Sequence, residues 1–348
     1  MKKVLFFLPP STGGAEKITT TFARMLDKEQ YEIAFVIVGR KKGDVVNYIP
    51  EGNRIIYVPA LTMQDFVWQK FWFVMLLEKP DYVFSSITPI NCHIIHASRK
   101  VGVKAIVRCN CAVDRIVGRD LKWAIQYYPQ ADLVIAQTEQ MRKDLIQTLN
   151  IAHEKVVTLN NPIDKEMIEK KASEENPFDA LGGKKYVWVG RFNEIKKVDV
   201  LIKAFAKVVM EESQSKLYLI GKIEDTNEYY KNVIALVEQL GIGNSVVFTD
   251  FQTNPYKWIK NADCLVLTSR SEASPNVVFE SLFLGTPAVV SACTPDLDII
   301  ITNGNGYVVP VGDAQTTAES MMRIKKRPQV SLNREPSSKE AINSLFSI

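Results

Sequence analysis

Short apolar runs rich in β-branched and aromatic residues alternate along the chain with amphipathic stretches of helical period. In the first half the runs predict strands at 4–8, 33–38, 54–58, 82–85, 104–108, 133–136 and 156–159. Helices such as 16–26 and 139–149 are predicted between most of them. Strands that are apolar at nearly every position and alternate with helices are typical of a parallel sheet covered on both faces.

The alternation is interrupted by a stretch of prolines, glycines and charges, NNPIDKEMIEKKASEENPFDALGGKK, which begins at Asn160 and predicts an inter-domain linker. Strands then resume at 186–189, 216–220, 246–249, 264–267, 288–291 and 307–309. We therefore expect an α/β protein of two Rossmann-like, doubly wound domains, 1–163 and 164–330. The tail, 331–348, has a weak helical pattern that would allow it to pack back on the first domain. Ligands bind at the carboxyl ends of the strands in such sheets, so two domains predict a shared cleft.

Composition agrees with a globular chain of two domains, since 348 residues with 46% hydrophobic and 24% charged side chains are too many for one core. The formal net charge is +4. A mildly basic chain suits an anionic small molecule or a membrane surface, and it does not have the strong basic bias of a nucleic-acid-binding protein.

Cysteine usage and hydropathy bear on location. Five scattered cysteines without a CxxC pair indicate reduced thiols and a cytoplasmic protein. The apolar N-terminus is broken by Pro9 and Pro10, which favours a buried strand over a signal peptide. No apolar run is long enough to span a membrane, so any contact with the inner membrane is expected to be peripheral. The segment FVWQKFWFVMLL, 66–77, allows either core packing or insertion into the membrane interface.

The stretch SEASPNVVFE, 271–280, predicts a helix with an anion site at its N-terminus. Ser274 is a favourable N-cap and Pro275 a favourable first helical residue, so a helix is expected over 275–284. Free backbone N–H groups and the positive end of the helix dipole would then bind a phosphate. The N–H groups in question belong to Asn276, Val277 and Val278.

Two carboxylates bracket this predicted anion site. Glu280 lies one helical turn past Asn276, and Glu272 lies in the preceding loop. Carboxylates accept hydrogen bonds from hydroxyls, so the pattern suits a sugar phosphate. Two solvated acidic side chains near a helix N-terminus would explain the same spacing.

A second candidate cluster is VWVGRFNEIKKVDVLIKAF, 187–205. Gly190 follows a predicted strand, Arg191 projects at its carboxyl end and Lys196 follows in the loop. An arginine fork and a lysine ammonium there could neutralise a diphosphate leaving group without a metal. The alternative is a surface loop with ordinary charges.

A third candidate is the glycine loop PPSTGGAEK, 9–17, between the first strand and the first helix. Gly13 and Gly14 would let the backbone approach a ligand closely. The loop has neither the Walker pattern nor the G-x-G-x-x-G spacing of dinucleotide-binding proteins.

Taken together, these motifs resemble the retaining glycosyltransferases of family 4, which have the GT-B fold. The resemblance covers nearly the whole chain. It rests on GGAEK, NNPID, VGRFNEIKKVDVLIKAF, EASPNVVFE, SLFLGTPAVVS and NGNGYVVPVGD, in that order.

The resemblance implies a role for each matching residue. Glu280 would hold the donor ribose and Glu272 the hydroxyls of the transferred sugar. Arg191 and Lys196 would stabilise the departing nucleoside diphosphate. The backbone from Asn276 to Val278 would meet the phosphates, and Gly14 would sit by donor and acceptor. The other donor-binding residues would be Gly13, Gly190, Ser274 and Pro275.

The chain also departs from the family pattern. Lys197 stands where a glycine is usual, and SACTPDLDII lacks the usual glycine pair. In place of a frequent histidine beside the sugar, the loop after 104–108 reads CNCAVDR, so Asn110 or Asp114 could take that role.

Two further patterns suggest metal sites on spacing alone. Asp296-Leu297-Asp298 has the DxD form of metal-dependent glycosyltransferases, but it lies late in the second domain at the expected start of a helix. His93 and His96 share a helical face without a carboxylate pair nearby, which favours a structural or surface role. We expect no metal and no cofactor, because the nucleotide-sugar is a substrate.

The resemblance implies a membrane-peripheral enzyme that transfers a sugar from a nucleotide donor, for which we expect a UDP-sugar, to a growing glycan or lipid-linked glycan of the lipopolysaccharide, O-antigen or capsule type. A retaining enzyme could use a double displacement through a carboxylate or a front-face route through an oxocarbenium-like state, and we favour the second. A nucleotide-sugar epimerase of the same fold, a phosphorylase and a non-catalytic sugar-binding partner are alternatives. The chain lacks the cofactor lysine motif that a phosphorylase of the glycogen type would need. A non-catalytic partner would have no need to keep all four charged residues, Arg191, Lys196, Glu272 and Glu280.

Overall fold

The computed structural model describes residues 1–11, 13–39, 43–60, 67–178, 182–294, 297–302, 304–325 and 336–348. The chain forms two compact units. One unit combines Met1–Asp164 with Pro336–Ile348, and the other is Lys165–Glu335.

The first unit is built on a parallel sheet of seven strands. They are β1 (Lys2–Leu8), β2 (Tyr31–Val38), β3 (Arg54–Val58), β4 (Tyr82–Ser85), β5 (Lys104–Arg108), β6 (Leu133–Ala136) and β7 (Val156–Thr158). Their order in the sheet is β3-β2-β1-β4-β5-β6-β7. The helices that accompany them are α1 (Gly14–Met25), α2 (Val67–Glu78), α3 (Thr88–Val101), α4 (Gly118–Tyr127) and α5 (Glu139–Leu149).

The second unit repeats this architecture with six parallel strands. They are β8 (Lys185–Val189), β9 (Lys216–Ile220), β10 (Val246–Phe248), β11 (Cys264–Leu267), β12 (Ala288–Ser291) and β13 (Gly306–Val309), in the order β10-β9-β8-β11-β12-β13. Its helices are α6 (Lys165–Ala172), α7 (Val198–Glu211), α8 (Glu228–Gln239), α9 (Tyr256–Asn261), α10 (Asn276–Phe283), α11 (Leu297–Ile300) and α12 (Ala314–Arg323).

The predicted fold class is confirmed, because both sheets are parallel and doubly wound. In each sheet the first strand of the unit lies in the interior, and the strand order reverses beside it. The reversal falls between β1 and β4 in the first unit and between β8 and β11 in the second. The connections after the two strands of each pair run in opposite directions, so a crevice opens at the carboxyl ends of the pair. Ligands bind at such crevices in doubly wound folds.

The tail packs on the first unit through α13 (Lys339–Ser344) and the residues after it. The Phe346 ring is fully buried and lies 5.5 Å from the Tyr82 ring and 5.8 Å from the Tyr31 ring, centroid to centroid. The Asn343 side chain accepts a hydrogen bond from the Asp27 amide at 2.9 Å. The last residues of the chain therefore complete the core beneath β1, β2 and β4.

The aromatic segment predicted at 66–77 is α2, except that Phe66 lies outside the described residues. One side of α2 packs in the core through Val67, Phe71, Val74 and Met75, which are all buried. In the part of the chain that the structure describes, no helix combines the length and the apolar character needed to cross a bilayer.

Candidate functional site

Two loops of the second unit, 190–197 after β8 and 268–275 after β11, are joined at the point where the strand order reverses. The Thr268 hydroxyl donates to the carbonyl oxygen of Lys197 at 2.9 Å. The Arg270 amide donates to the carbonyl oxygen of Ile195 at 2.7 Å. The crevice between β8 and β11 is therefore lined by both motifs that the sequence singled out.

Side chains from the two loops also meet directly. Lys196 Nζ lies 2.6 Å from Glu272 Oε1, and the side chains are 21% and 17% exposed. The Glu272 amide donates to the carbonyl oxygen of Cys293, which follows β12, at 2.9 Å. Three loops at one sheet edge thus converge on an ammonium and a carboxylate that are both still reachable from solvent.

The thiol of Cys293 belongs to the same cluster. Burial raises the pKa of this thiol to about 12, and the nearby Glu272 carboxylate acts in the same direction. The family pattern has a glycine pair in this region, where this chain has SACTPDLDII. A buried, protonated thiol therefore lies beside the ion pair.

Arg191 follows the end of β8, where the backbone of Gly190 packs closely against the next strand connection. The Gly190 amide donates to the carbonyl oxygen of Ile220 at 3.0 Å. A Cβ on Gly221 would lie 2.2 Å from the Gly190 carbonyl oxygen, so this approach requires a glycine. Arg191 is exposed, and no ion pair joins it to another residue within the described ranges. Its guanidinium is thus open to an anionic ligand.

The lysine that replaces a glycine in the family pattern has a left-handed backbone. Lys197 has φ 48° and ψ 45° and directly precedes α7. This region is unfavourable for residues with a Cβ and free for glycine, which explains why glycine is usual there.

The start of α10 corrects one prediction. The helix begins at Asn276 with Pro275 as its N-cap, and the Ser274 side chain makes no capping hydrogen bond. The Ser274 carbonyl oxygen accepts from the Asn276 amide at 3.0 Å, and the Pro275 carbonyl oxygen accepts from the Val278 amide at 2.9 Å. Because the chain tightens before the helix, two of the three amides expected to be free already have backbone acceptors. Among the described residues, the Val277 amide has none.

The second acid of the motif is held on α10 and is half-buried. Tyr256, at the start of α9, donates its hydroxyl to Glu280 Oε1 at 3.4 Å. Tyr256 itself is 6% exposed, so it fixes one carboxylate oxygen from below.

The glycine loop belongs to the first unit, where it follows β1 at that sheet's own reversal. Gly13 is the N-cap of α1 with an extended backbone, and Gly14 is its first residue and is exposed. A Cβ on Gly13 would lie 2.7 Å from Glu16 Oε2. The buried carboxylate of Glu16 therefore rests against Gly13 and would have to move if a larger residue stood there.

Four residues of these sites escaped the sequence analysis: Thr268, Tyr256, Cys293 and Glu16. A threonine directly after a buried strand was a readable signal for Thr268, since such positions line the carboxyl edge of a parallel sheet. Tyr256 and Cys293 come from other strand–helix connections, so only the fold brings them here. The two candidates for the missing histidine lie in the first unit, where Asn110 is half-buried and Asp114 is exposed.

The metal patterns gain no support in the part of the chain that the structure describes. No group of three potential ligands among His, Cys, Asp and Glu occurs there. Asp296 of the DxD sequence lies outside the described residues. His93 packs edge-on against Trp123 at 5.0 Å and His96 against Trp68 at 4.6 Å, centroid to centroid, so both imidazoles are packing residues of α3.

Comparison with known families agrees with this geometry. Residues 12–167 match the model of Glycosyltransferase Family 4, and residues 169–341 match that of Glycosyl transferases group 1. The chain belongs to these glycosyltransferases. The first match covers most of the first unit, and the second covers most of the second unit and the start of the tail. The resemblance proposed from the motifs is confirmed.

Individual relatives are more distant. A Campylobacter jejuni N-acetylgalactosaminyltransferase acting on a diphospho-undecaprenol-linked saccharide is 32% identical over 155 residues, which are 44% of this chain and 40% of that protein. The lipopolysaccharide core biosynthesis glycosyltransferase LpsD of Rhizobium meliloti is 27% identical, over 51% of this chain and 48% of that protein. The chain thus spans half or less of the length of both.

Solved structures show the same fold over the full length. HepE from Anabaena, in complex with UDP and glucose, superposes with a TM-score of 0.79 at 17% identity, covering 100% of this chain and 98% of that one. This likeness confirms the GT-B fold.

Proposed function

We propose that this chain is a retaining glycosyltransferase that transfers a sugar from a nucleotide-sugar donor. The observation that carries the proposal is the convergence of Lys196 and Glu272 at the carboxyl edge of the second sheet, with Arg191 exposed in the same loop as Lys196. The planar guanidinium of Arg191 and the ammonium of Lys196 can both bind a diphosphate, and a carboxylate can accept hydrogen bonds from sugar hydroxyls.

In this proposal each side chain has a distinct task. Glu280 accepts hydrogen bonds from the donor ribose with the carboxylate that the Tyr256 hydroxyl orients. Glu272 accepts from hydroxyls of the transferred sugar. The Val277 amide and the dipole of α10 add partial positive charge for a phosphate.

The dominant catalytic effect is electrostatic. As the glycosidic bond breaks, negative charge develops on the nucleoside diphosphate, and Arg191 and Lys196 stabilise it without a metal. Retention through a front-face, oxocarbenium-like route needs no carboxylate nucleophile, and a phosphate oxygen of the leaving group can take the acceptor proton. In this mechanism Glu272 therefore only orients the transferred sugar.

For the donor and acceptor we propose a UDP-sugar and a growing cell-surface glycan, free or lipid-linked, of the lipopolysaccharide, O-antigen or capsule type. The HepE structure contains UDP and glucose, and the Campylobacter relative acts on a diphospho-undecaprenol-linked saccharide. A lipid-linked acceptor also implies a peripheral contact with a membrane.

The experiment that tests this function measures nucleotide release from UDP-, GDP-, ADP- and TDP-sugars in the presence of a chelator. Wild-type protein should release one nucleotide selectively, and Arg191→Ala should abolish the release. Arg323→Ala, an exposed arginine at the end of α12, is the matched control and should behave as wild type. Conversion of the donor sugar to its epimer in place of transfer would favour the epimerase, and failure to bind any nucleotide would favour a non-catalytic partner.

A further inference from the structure

The outward side of α2 exposes large apolar side chains. Trp72, Phe73, Leu76 and Leu77 are 38%, 56%, 42% and 65% exposed. Positions spaced by one, four and five residues lie on one side of a helix, so these four side chains form a single stripe opposite the buried side of α2. An exposed stripe of this kind marks an interaction surface more often than a monomer surface.

A second helix, α4, lies on the other flank of α3 from α2. Between them α3 is buried along most of its length, because aromatic rings from both neighbours pack over it. The His96 ring lies 4.6 Å from Trp68 of α2 and 5.2 Å from Tyr127 of α4. Since rings of α2 and α4 both pack on α3, the two helices flank α3 on the same side of the first sheet.

The α4 part of this layer also exposes apolar groups. Val117, directly before α4, and Ile125 within it are 67% and 47% exposed. We call the surface made by Trp72, Phe73, Leu76, Leu77, Val117 and Ile125, together with the charged side chains around them, the α2–α4 face.

Basic side chains outnumber acidic ones on the α2–α4 face. The exposed basic residues are Lys70, Arg115, Arg119 and Lys122, and the exposed acidic residues are Asp114 and Asp120. The Arg119 guanidinium lies 4.4 Å from the centroid of the Trp123 ring, which keeps its charge at the level of the aromatic side chains. Apolar, aromatic and basic groups in one surface are the composition of helices that lie in the interface of an anionic bilayer.

We propose that the α2–α4 face docks on an anionic lipid bilayer. Phe73 and Leu77, the most exposed of the α2 stripe, enter the boundary between headgroups and acyl chains. Arg115 and Lys122 contact the headgroup phosphates. A second copy of the chain is a poorer occupant, because two-fold pairing of this face would bring two sets of basic side chains together, whereas anionic headgroups neutralise them.

This docking specifies the membrane contact of the proposed function and rests on it, but it does not involve Arg191, Lys196, Glu272 or Glu280 of the donor site. The full chain is mixed with phosphatidylcholine vesicles that do or do not contain phosphatidylglycerol, and bound protein is measured by flotation. Wild type should bind the vesicles with phosphatidylglycerol. Phe73→Ser/Leu77→Ser should bind roughly a hundredfold more weakly, from the apolar area lost.

The matched control is Met210→Ser/Leu240→Ser, which removes two exposed apolar side chains from the second unit and should leave vesicle binding unchanged. Arg115→Glu/Lys122→Glu should weaken binding at least about tenfold, and wild-type binding should fall with added salt. Both apolar variants should release nucleotide from a soluble donor as wild type does, so a failure of the transferase proposal would be seen separately.

The proposal is overturned if wild type fails to bind anionic vesicles, or if the two α2 substitutions leave binding unchanged. It is also overturned if those substitutions turn a dimer into a monomer in sedimentation while vesicle binding is absent, which would assign the face to a second copy.

Discussion

Lys196 and Glu272 form an ion pair at 2.6 Å although 76 positions separate them in the sequence. They follow β8 and β11, which are not consecutive strands but are neighbours in the sheet. In the proposed function the ammonium serves the diphosphate and the carboxylate serves the sugar. In that function, donor binding separates the Lys196 ammonium from the Glu272 carboxylate.

The stability of this pair is expected to be modest. Both side chains remain partly exposed, so solvent screens their attraction, and the coupling free energy should be about 1 kcal/mol or less. A double-mutant cycle of Lys196→Met and Glu272→Gln, followed by chemical denaturation, measures it. A coupling of several kcal/mol would mean that the pair is a structural element of the unit.

Glu280→Gln should weaken donor binding about tenfold, because hydrogen bonds from the ribose hydroxyls to a carboxylate become bonds to a neutral amide. The fold should be unaffected, since the amide oxygen can still accept from the Tyr256 hydroxyl. Calorimetric titration with the donor measures the affinity, and Glu238→Gln, on the exposed side of α8, is the control. A large loss of melting temperature with unchanged affinity would show that Glu280 is structural.

Lys197→Gly should stabilise the second unit, because it removes a Cβ from a left-handed backbone position. The expected gain is about 1 kcal/mol, or about 2–4 °C in melting temperature. Lys203→Gly is the control, since it places glycine in the middle of α7 and should destabilise by a similar amount. A lower melting temperature for Lys197→Gly would show that the lysine side chain outweighs the backbone strain.

The two parallel sheets and most of their strands could be predicted from the sequence. Fully buried strands such as VLFFL at β1 are apolar at every position, and glycines, prolines and charges bound them closely. The predicted start of α10 is wrong because serine is a favoured N-cap residue, whereas backbone hydrogen bonds around Pro275 determine where this helix begins. The ion pair of Lys196 with Glu272 and the thiol of Cys293 beside it depend on strand order, which no local sequence pattern shows. The same holds for the packing of α2 and α4 on either flank of α3.

The cysteines should differ in reactivity. Cys111 is half-buried, and a hydrogen bond from the Cys109 thiol, with nearby Arg115, lowers its pKa. Burial raises the pKa of Cys92 to about 12, as it does for Cys293. At pH 8 iodoacetamide should therefore modify Cys111 first, and its rate should fall only when the pH drops below that lowered pKa.

Mass spectrometry of the alkylated peptides at several pH values checks this order. Modification of Cys92 or Cys293 before Cys111 in the folded protein would contradict it. A Cys111→Ser variant, in which the fast reaction should disappear, confirms the assignment of the peptide.

The most direct test of the donor site is the rate of nucleotide release by Lys196→Met at saturating donor and in chelator. Loss of a cation beside the leaving diphosphate should lower this rate about a hundredfold in a protein that remains folded. Lys184→Met is the matched control, because Lys184 pairs with Glu212 at 2.8 Å elsewhere in the same unit and should leave the rate unchanged. A rate for folded Lys196→Met equal to that of wild type would contradict the assignment of the crevice between β8 and β11 as the catalytic donor site.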